Sequence, residues 1–239
     1  MTGVLLEVAA LHAADAEAAD AGGADRVELL ARPDDGGFSP DPTTVRAVTR
    51  ATEVPVRVRL RLSEGYSTTA EEASRLIGHA EHYLSLGAEG VVLGFLDRDL
   101  EVAADVTARI IAAIPGAPWT FSEAVDAALD TGRAWRSLMA LPRLDAVLTA
   151  GSSLGVGHGQ DTLIALSRGD RRIAARVLAG SGLSTEHVPW LVRAGIHQFH
   201  VGPQVRPGGS WSRAHVDAAH VRAWRLLLDD AVQRVTIAG

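Results

Sequence analysis

Eight short apolar runs punctuate this chain at a nearly even spacing, and that rhythm constrains the fold more than any other feature. The runs are Val4–Val8, Arg26–Leu29, Val56–Leu60, Gly90–Leu93, Trp119–Phe121, Asp145–Leu148, Ala175–Leu178 and Gln198–Val201. They begin about 22 to 34 residues apart, the length of one strand, one helix and two turns. Alanine-rich helical stretches lie between them, with Leu76, Ile77, Ala80, Tyr83 and Leu84 forming one apolar stripe. Asp41 before Pro42 predicts a capped helix start, and Thr69 with Glu72 predicts a capping box. Gly22, Gly87 and Gly195 stand where helices should stop. A final helix is expected over about Val216 to Arg234, and Pro189 falls inside the expected seventh helix. Eight such units without a long linker predict one α/β domain over residues 1–239, a (β/α)8 TIM barrel. Any functional site then belongs at the C-terminal ends of the strands.

Composition removes several kinds of chemistry. The 239 residues contain no cysteine, which excludes a thiolate nucleophile, a disulfide and a sulfur-rich metal site. All 23 basic residues are arginine, and without a lysine no Schiff base can form. A net charge of −6 argues against a nucleic-acid partner. No apolar run approaches the ~18 residues of a membrane span. The start of the chain lacks a basic region ahead of its short apolar run, so no signal peptide is read there and a soluble, cytoplasmic protein is expected.

Side chains on a barrel strand alternate between the interior and the helix layer. In Val56-Arg57-Val58-Arg59-Leu60-Arg61 the apolar residues should meet the helices, which turns three arginines inward. The same rule places Glu7, Arg26 and Glu28 inside. Buried charges need partners, so Glu7 and Glu28 should neutralise some of the arginines. Four arginines against two carboxylates leave positive charge over, and a small anionic ligand would complete it. A closed network of ion pairs and water without a ligand stands beside that reading. Gly180-Ser181-Gly182 and Gly202-Pro203 follow the seventh and eighth strands, where this fold often cradles phosphate; tight turns also need glycine. His200, near the end of the eighth strand, is a candidate acid, base or metal ligand, or a hydrogen-bonded barrel residue. Thr120, Ser122 and Thr149 lie at strand ends and complete the candidate site, with Glu123 and Asp126 following. His79 and His82 are spaced for a metal but flank the apolar stripe, as a solvated helix face would. The loop Arg206–Ser212, rich in Gly, Pro and Ser, is the candidate lid.

Several segments are similar to the CutC family of copper homeostasis proteins, nearly end to end from Leu5 to about Asp230. The resemblance is carried by Leu5-Leu6-Glu7, Gly23-Ala24-Asp25-Arg26-Val27-Glu28-Leu29 and Gly36-Gly37-Phe38-Ser39-Pro40. Further support comes from Thr120-Phe121 with Asp126, Val147-Leu148-Thr149-Ala150-Gly151, Ala179-Gly180-Ser181-Gly182 and His200. It implies a β/α barrel, a cytoplasmic location, a homodimer or larger homo-oligomer, and copper as the associated metal. The chain departs from the family pattern at chemically telling places. The cysteines usual after the first and second strands are replaced around Ala9, Ala10 and Leu30. The family's Thr-Phe-His-Arg-Ala-Phe-Asp is here Thr120-Phe121-Ser122-Glu123-Ala124-Val125-Asp126. On the third strand only Arg61 matches the family's His-Pro-x-x-Arg-Pro-Arg, while Arg57 and Arg59 are new. Copper(I) prefers sulfur, and only Met1 and Met139 offer it.

Three functions remain open on the sequence. One is a CutC-like role in copper homeostasis. Another is an isomerase- or lyase-like barrel acting on a small anionic metabolite, such as a phosphorylated one. In that reading Glu7, Glu28 or His200 moves protons, and Arg26, Arg59, Arg61, Thr120, Ser122, Thr149, Gly180, Ser181, Gly182 and Gly202 hold the substrate. The last is a binding barrel without chemistry.

Overall fold

The eight predicted strands form and pair in chain order into a closed parallel barrel. The computed structural model describes residues 3–211 and 215–238. The strands are β1 (Leu5–Ala10), β2 (Arg26–Leu29), β3 (Val56–Arg59), β4 (Gly90–Leu93), β5 (Trp119–Phe121), β6 (Leu144–Thr149), β7 (Val177–Ala179) and β8 (Gln198–Val201). They alternate with helices α1 (Ala13–Gly22), α2 (Pro42–Ala51), α3 (Ala70–Ser85), α4 (Ala104–Ala113), α5 (Thr131–Met139), α6 (Val156–Gly169), α7 (Arg171–Ala174), α8 (Val188–Arg193) and α9 (Ala218–Ala238). Strands β2, β4, β5 and β8 keep their predicted bounds. The ends of the others shift by a residue or two, because ladder partners on both sides decide where pairing stops.

Local signals act as the residue chemistry dictates. Asp41 accepts from the N–H groups of Thr43 and Thr44, and Thr69 and Glu72 cap each other's backbone. Pro189 does not interrupt a helix; it sits in the first turn of α8, where its missing N–H costs nothing. Gly87 and Gly195 take φ of 102° and 92°, as helix stops should. Gly22 departs from that expectation. It is the last residue of α1, the stop falls on Gly23 (φ 90°), and a Cβ at Gly22 would collide with Val221 of α9. Glycine there permits close packing of two helices.

Two differently composed layers result. Leu6, Val8, Val27, Leu29, Val58, Val91, Leu93, Phe121, Val147, Phe199 and Val201 turn outward and are buried against the helices. Inside the barrel, Ala146, Leu148 and Leu178 form a small apolar wall with Leu5. Apart from Ala9 and Val92, the rest of the interior is largely polar and charged. No described helix is long and apolar enough to cross a membrane.

Candidate functional site

Strand register brings the charged residues to the same level. Glu7 stands opposite Arg26 on one side and His200 on the other, and Glu28 stands opposite Arg57. All five are buried. Glu7 holds Arg26 Nε with one oxygen and His200 Nδ1 with the other, the latter at 2.8 Å. Arg59 donates through Nε to Glu28 at 2.7 Å and through Nη1 to Glu123 at 3.0 and 3.2 Å. Glu28 keeps its second oxygen without a hydrogen-bond partner among the described residues, 3.6 Å from His200 Nδ1.

Lower in the barrel, Asp145 ties Arg26 and Arg57 together at 3.2 and 2.6 Å. Arg57 also donates to Thr120 Oγ1 at 2.6 Å and to Glu89 at 3.3 Å. Arg57 and Arg59 therefore point inward as predicted. The predicted excess of positive charge is corrected, however: three buried arginines meet five carboxylates, Glu7, Glu28, Glu89, Glu123 and Asp145. Three of those carboxylates lie at strand ends and turns, where strand alternation gives no information. A one-residue register shift between β5 and β6 accompanies the inward turn of Asp145.

Burial and neighbours push the two glutamates apart. Burial alone would raise Glu7, but the Arg26 charge and the His200 hydrogen bond outweigh it and hold the carboxyl well below its usual range. For Glu28 burial wins over Arg59 and His200, and its affinity for a proton is raised. Burial would depress His200, yet its hydrogen bond to Glu7 and the charges of Glu28 and Glu7 raise it overall. Because Glu7 is ionised, His200 Nδ1 must carry a proton and donate it. Nε2 is left as the reactive nitrogen.

His200 lines a cavity of about 270 Å³ at the barrel mouth, shared with Arg59, Glu123, Gly36–Gly37, Ser181–Gly182 and Trp211. Ser181 and Gly182 both have left-handed backbone, at φ of 60° and 81°. Their N–H groups donate to no described residue, which leaves them free for an oxyanion. A Cβ at Gly180 would press on Leu148 and on His200 at 3.0 Å, so glycine there keeps the imidazole in place. Gly202 accepts the Trp211 ring in the space of a missing Cβ.

Other candidates fall outside the cavity wall. Arg61 is half-buried and spends its guanidinium on the carbonyls of Gly36 and Ser63, at 2.8 and 3.0 Å. Thr120 lies deeper, on Arg57. Ser122 caps the turn over Glu123–Ala127 and packs on Gly94. Thr149 donates to Asp126 at 2.6 Å. Asp126 also accepts from Ala150 and Gly151 N–H groups; burial nevertheless raises its carboxyl to about 6. The candidate lid starts on a fixed point. Arg206 is buried and pairs with the fully buried Asp15 at 2.6 Å; the lid's last residue, Ser212, lies outside the described residues.

Two clusters have the residue types of a metal site, Glu7/Glu28/His200 and His12/Asp15/His215. Neither fits copper. In the first, each carboxylate already holds a guanidinium and His200 Nδ1 is committed to Glu7. In the second, His12 Nδ1 accepts the Asp15 N–H, so the His12 proton sits on Nε2, which faces His215 Nδ1 at 2.7 Å. The Asp15 oxygens are filled by Arg206, Leu11 N–H and Val216 N–H. His79 and His82 belong to no cluster among the described residues. A titration against a chromophoric copper(I) chelator under reducing conditions is therefore expected to show no competition at micromolar protein; withdrawal of copper from the chelator would show that sulfur-free ligands suffice.

Comparison with known proteins agrees with the barrel. The model of the CutC family matches residues 4–205. The family protein CutC of Xylella fastidiosa strain Temecula1 is 36% identical over 82% of this chain and 73% of its own. That of Xanthomonas axonopodis pv. citri is also 36% identical, over 82% of this chain and 81% of its own. A crystal structure from Streptococcus agalactiae, named for copper homeostasis protein CutC, superposes with a TM-score of 0.75 at 22% identity, covering 83% of this chain and 98% of that one. With a family model that matches most of its length and relatives 36% identical over 82% of it, the chain belongs to the CutC family.

Proposed function

We propose that this barrel transfers protons on a small polar metabolite, as an isomerase or epimerase does, with His200 as the acid and base. The observation that carries this reading is a histidine that meets a cavity while its Nδ1 faces two carboxylates, Glu7 at 2.8 Å and Glu28 at 3.6 Å, which their surroundings push in opposite directions. Environments that push two carboxyls apart mark acid and base assignments in many active sites. His200 Nε2 would take a proton from a carbon next to a carbonyl and return it to the neighbouring carbon or the opposite face. Glu7 fixes the Nδ1–H tautomer and stabilises the imidazolium that forms. Glu28, behind it, holds a proton to higher pH than an ordinary carboxyl. An anionic end of the substrate, carboxylate or phosphate, would rest on the free N–H groups of Ser181 and Gly182. The family's association with copper homeostasis stands at the level of the family, and no step here needs a metal.

The test is proton exchange. Small keto and aldo sugar phosphates and 2-keto acids are incubated with the protein in D₂O and followed by proton NMR. Deuterium should enter a carbon next to the carbonyl. His200→Asn should lower that rate by about 10²-fold or more, and circular dichroism should show the barrel intact. Equal exchange in wild type and His200→Asn would remove His200 from the chemistry.

A further inference from the structure

A cavity of about 870 Å³ opens on the opposite face of the barrel, at the N-terminal ends of β6, β8 and β1. Leu5 and Asp145 form part of its floor, and α6, α7 and α8 form its rim. This size suits a metabolite, yet barrels of this kind keep their active sites at the other face.

The rim is cationic. Arg168, Arg171 and Arg193 line the cavity, and none makes an ion pair or a side-chain hydrogen bond with a described residue. Arg193 only leans over the Trp190 ring, 5.5 Å from its centre. Arg172, next in sequence to Arg171, is by contrast paired with Asp170. Arginines in the last turns of α6 and α8 complement the helix dipoles, which accounts for Arg168 and Arg193. It does not account for Arg171, which opens α7, nor for the polar atoms beneath.

Ser167 is 2% exposed, lines the cavity, and its Oγ has no hydrogen-bond partner. His197 Nδ1 and Gln198 Oε1, on the same wall, also lack partners. Buried polar groups are rarely left unmatched without a reason. Burial also holds His197 below its usual value, and its imidazole shares the cavity wall with the three guanidiniums.

We infer that this cavity binds a phosphate ester carrying two or more negative charges and a hydroxyl-bearing body. The guanidiniums take the phosphate oxygens, for which their planar fork is suited. His197 and Gln198, each partly exposed on the wall, meet the polar body. Asp145 is the one carboxylate on the wall among the described residues, and its charge is already shared between Arg26 and Arg57. The site is separate from the mouth and does not depend on the reaction assigned there.

Calorimetric titration with ADP and with fructose 1,6-bisphosphate tests it, with inorganic phosphate as the small probe. Saturable binding is expected for at least one ester, and it should weaken as salt is raised. Arg168→Gln, Arg171→Gln and Arg193→Gln should each weaken it about tenfold; all three side chains are exposed, so folding is not at stake. NMR titration of His197 should show its affinity for protons rising when the ester binds. No saturable binding overturns the inference. So does binding that the three substitutions leave unchanged, or that only His200→Asn abolishes, which would place the ligand at the mouth.

Discussion

Glu7→Ala is expected to cost about 3–5 kcal/mol of folding free energy, because it removes one partner of a buried ion pair and leaves the other behind. Arg26 is 4% exposed, and one of its terminal nitrogens already lacks a partner. Without Glu7 it would keep only Asp145, at 3.2 Å, and His200 would lose the group that orients its ring. Urea unfolding reads the loss as a lower midpoint. Glu7→Gln keeps the shape and should fall between the two. The charge also predicts a pH dependence. The folded-state value of Glu7 lies below the ordinary carboxyl value of 4.5, so its contribution is complete above about pH 4.5 and is lost as the pH falls through the folded value. Wild type should therefore lose stability in acid faster than Glu7→Gln. Parallel acid slopes for the two proteins would show that Glu7 is not the group responsible.

The second large effect belongs to Arg206. Its guanidinium reaches Asp15 at 2.6 and 3.3 Å and the carbonyl of Ala9 at 3.3 Å. Asp15 in turn accepts from the N–H groups of Leu11 and Val216. One buried carboxylate thus holds the end of β1, the start of α1 and the segment leading into α9. Arg206→Ala should cost about 3–5 kcal/mol by stranding that carboxylate. It should also loosen Trp211, whose ring centre lies 5.1 Å from the guanidinium and which lines the mouth. The paired replacement Asp15→Leu with Arg206→Met should recover much of the stability, since hydrophobic substitutes for a buried pair often do. A loss below about 1 kcal/mol in Arg206→Ala would place the pair among contacts that matter little.

Strand positions were legible because they depend on local pattern. The inward arginines followed from alternation on one strand, Val56 to Arg61. So did Glu28 as a partner of Arg59, but three other partners did not, since Glu89, Glu123 and Asp145 lie at strand ends, where chain direction and not alternation aims a side chain. One clue was present. The family's arginine after the fifth strand is Glu123 here, and Arg59 is a new arginine on the third strand; the two are bonded. The bond joins distant positions, a relation that spacing alone does not reveal. Arg206 was hidden for another reason. A loop rich in Gly, Pro and Ser reads as mobile by composition, but composition says nothing about one buried guanidinium within it.

The chain of contacts from Asp145 through Arg26 and Glu7 to His200 links the wall of the lower cavity to that of the mouth. Its cations are guanidiniums, which keep their charge at any pH the fold survives. Only the acidic members and the imidazole can gain or lose a proton, and each does so in the field of the next. The two faces of the barrel therefore belong to one electrical circuit, in which a charge settling at the floor alters how firmly the histidine at the mouth keeps its proton.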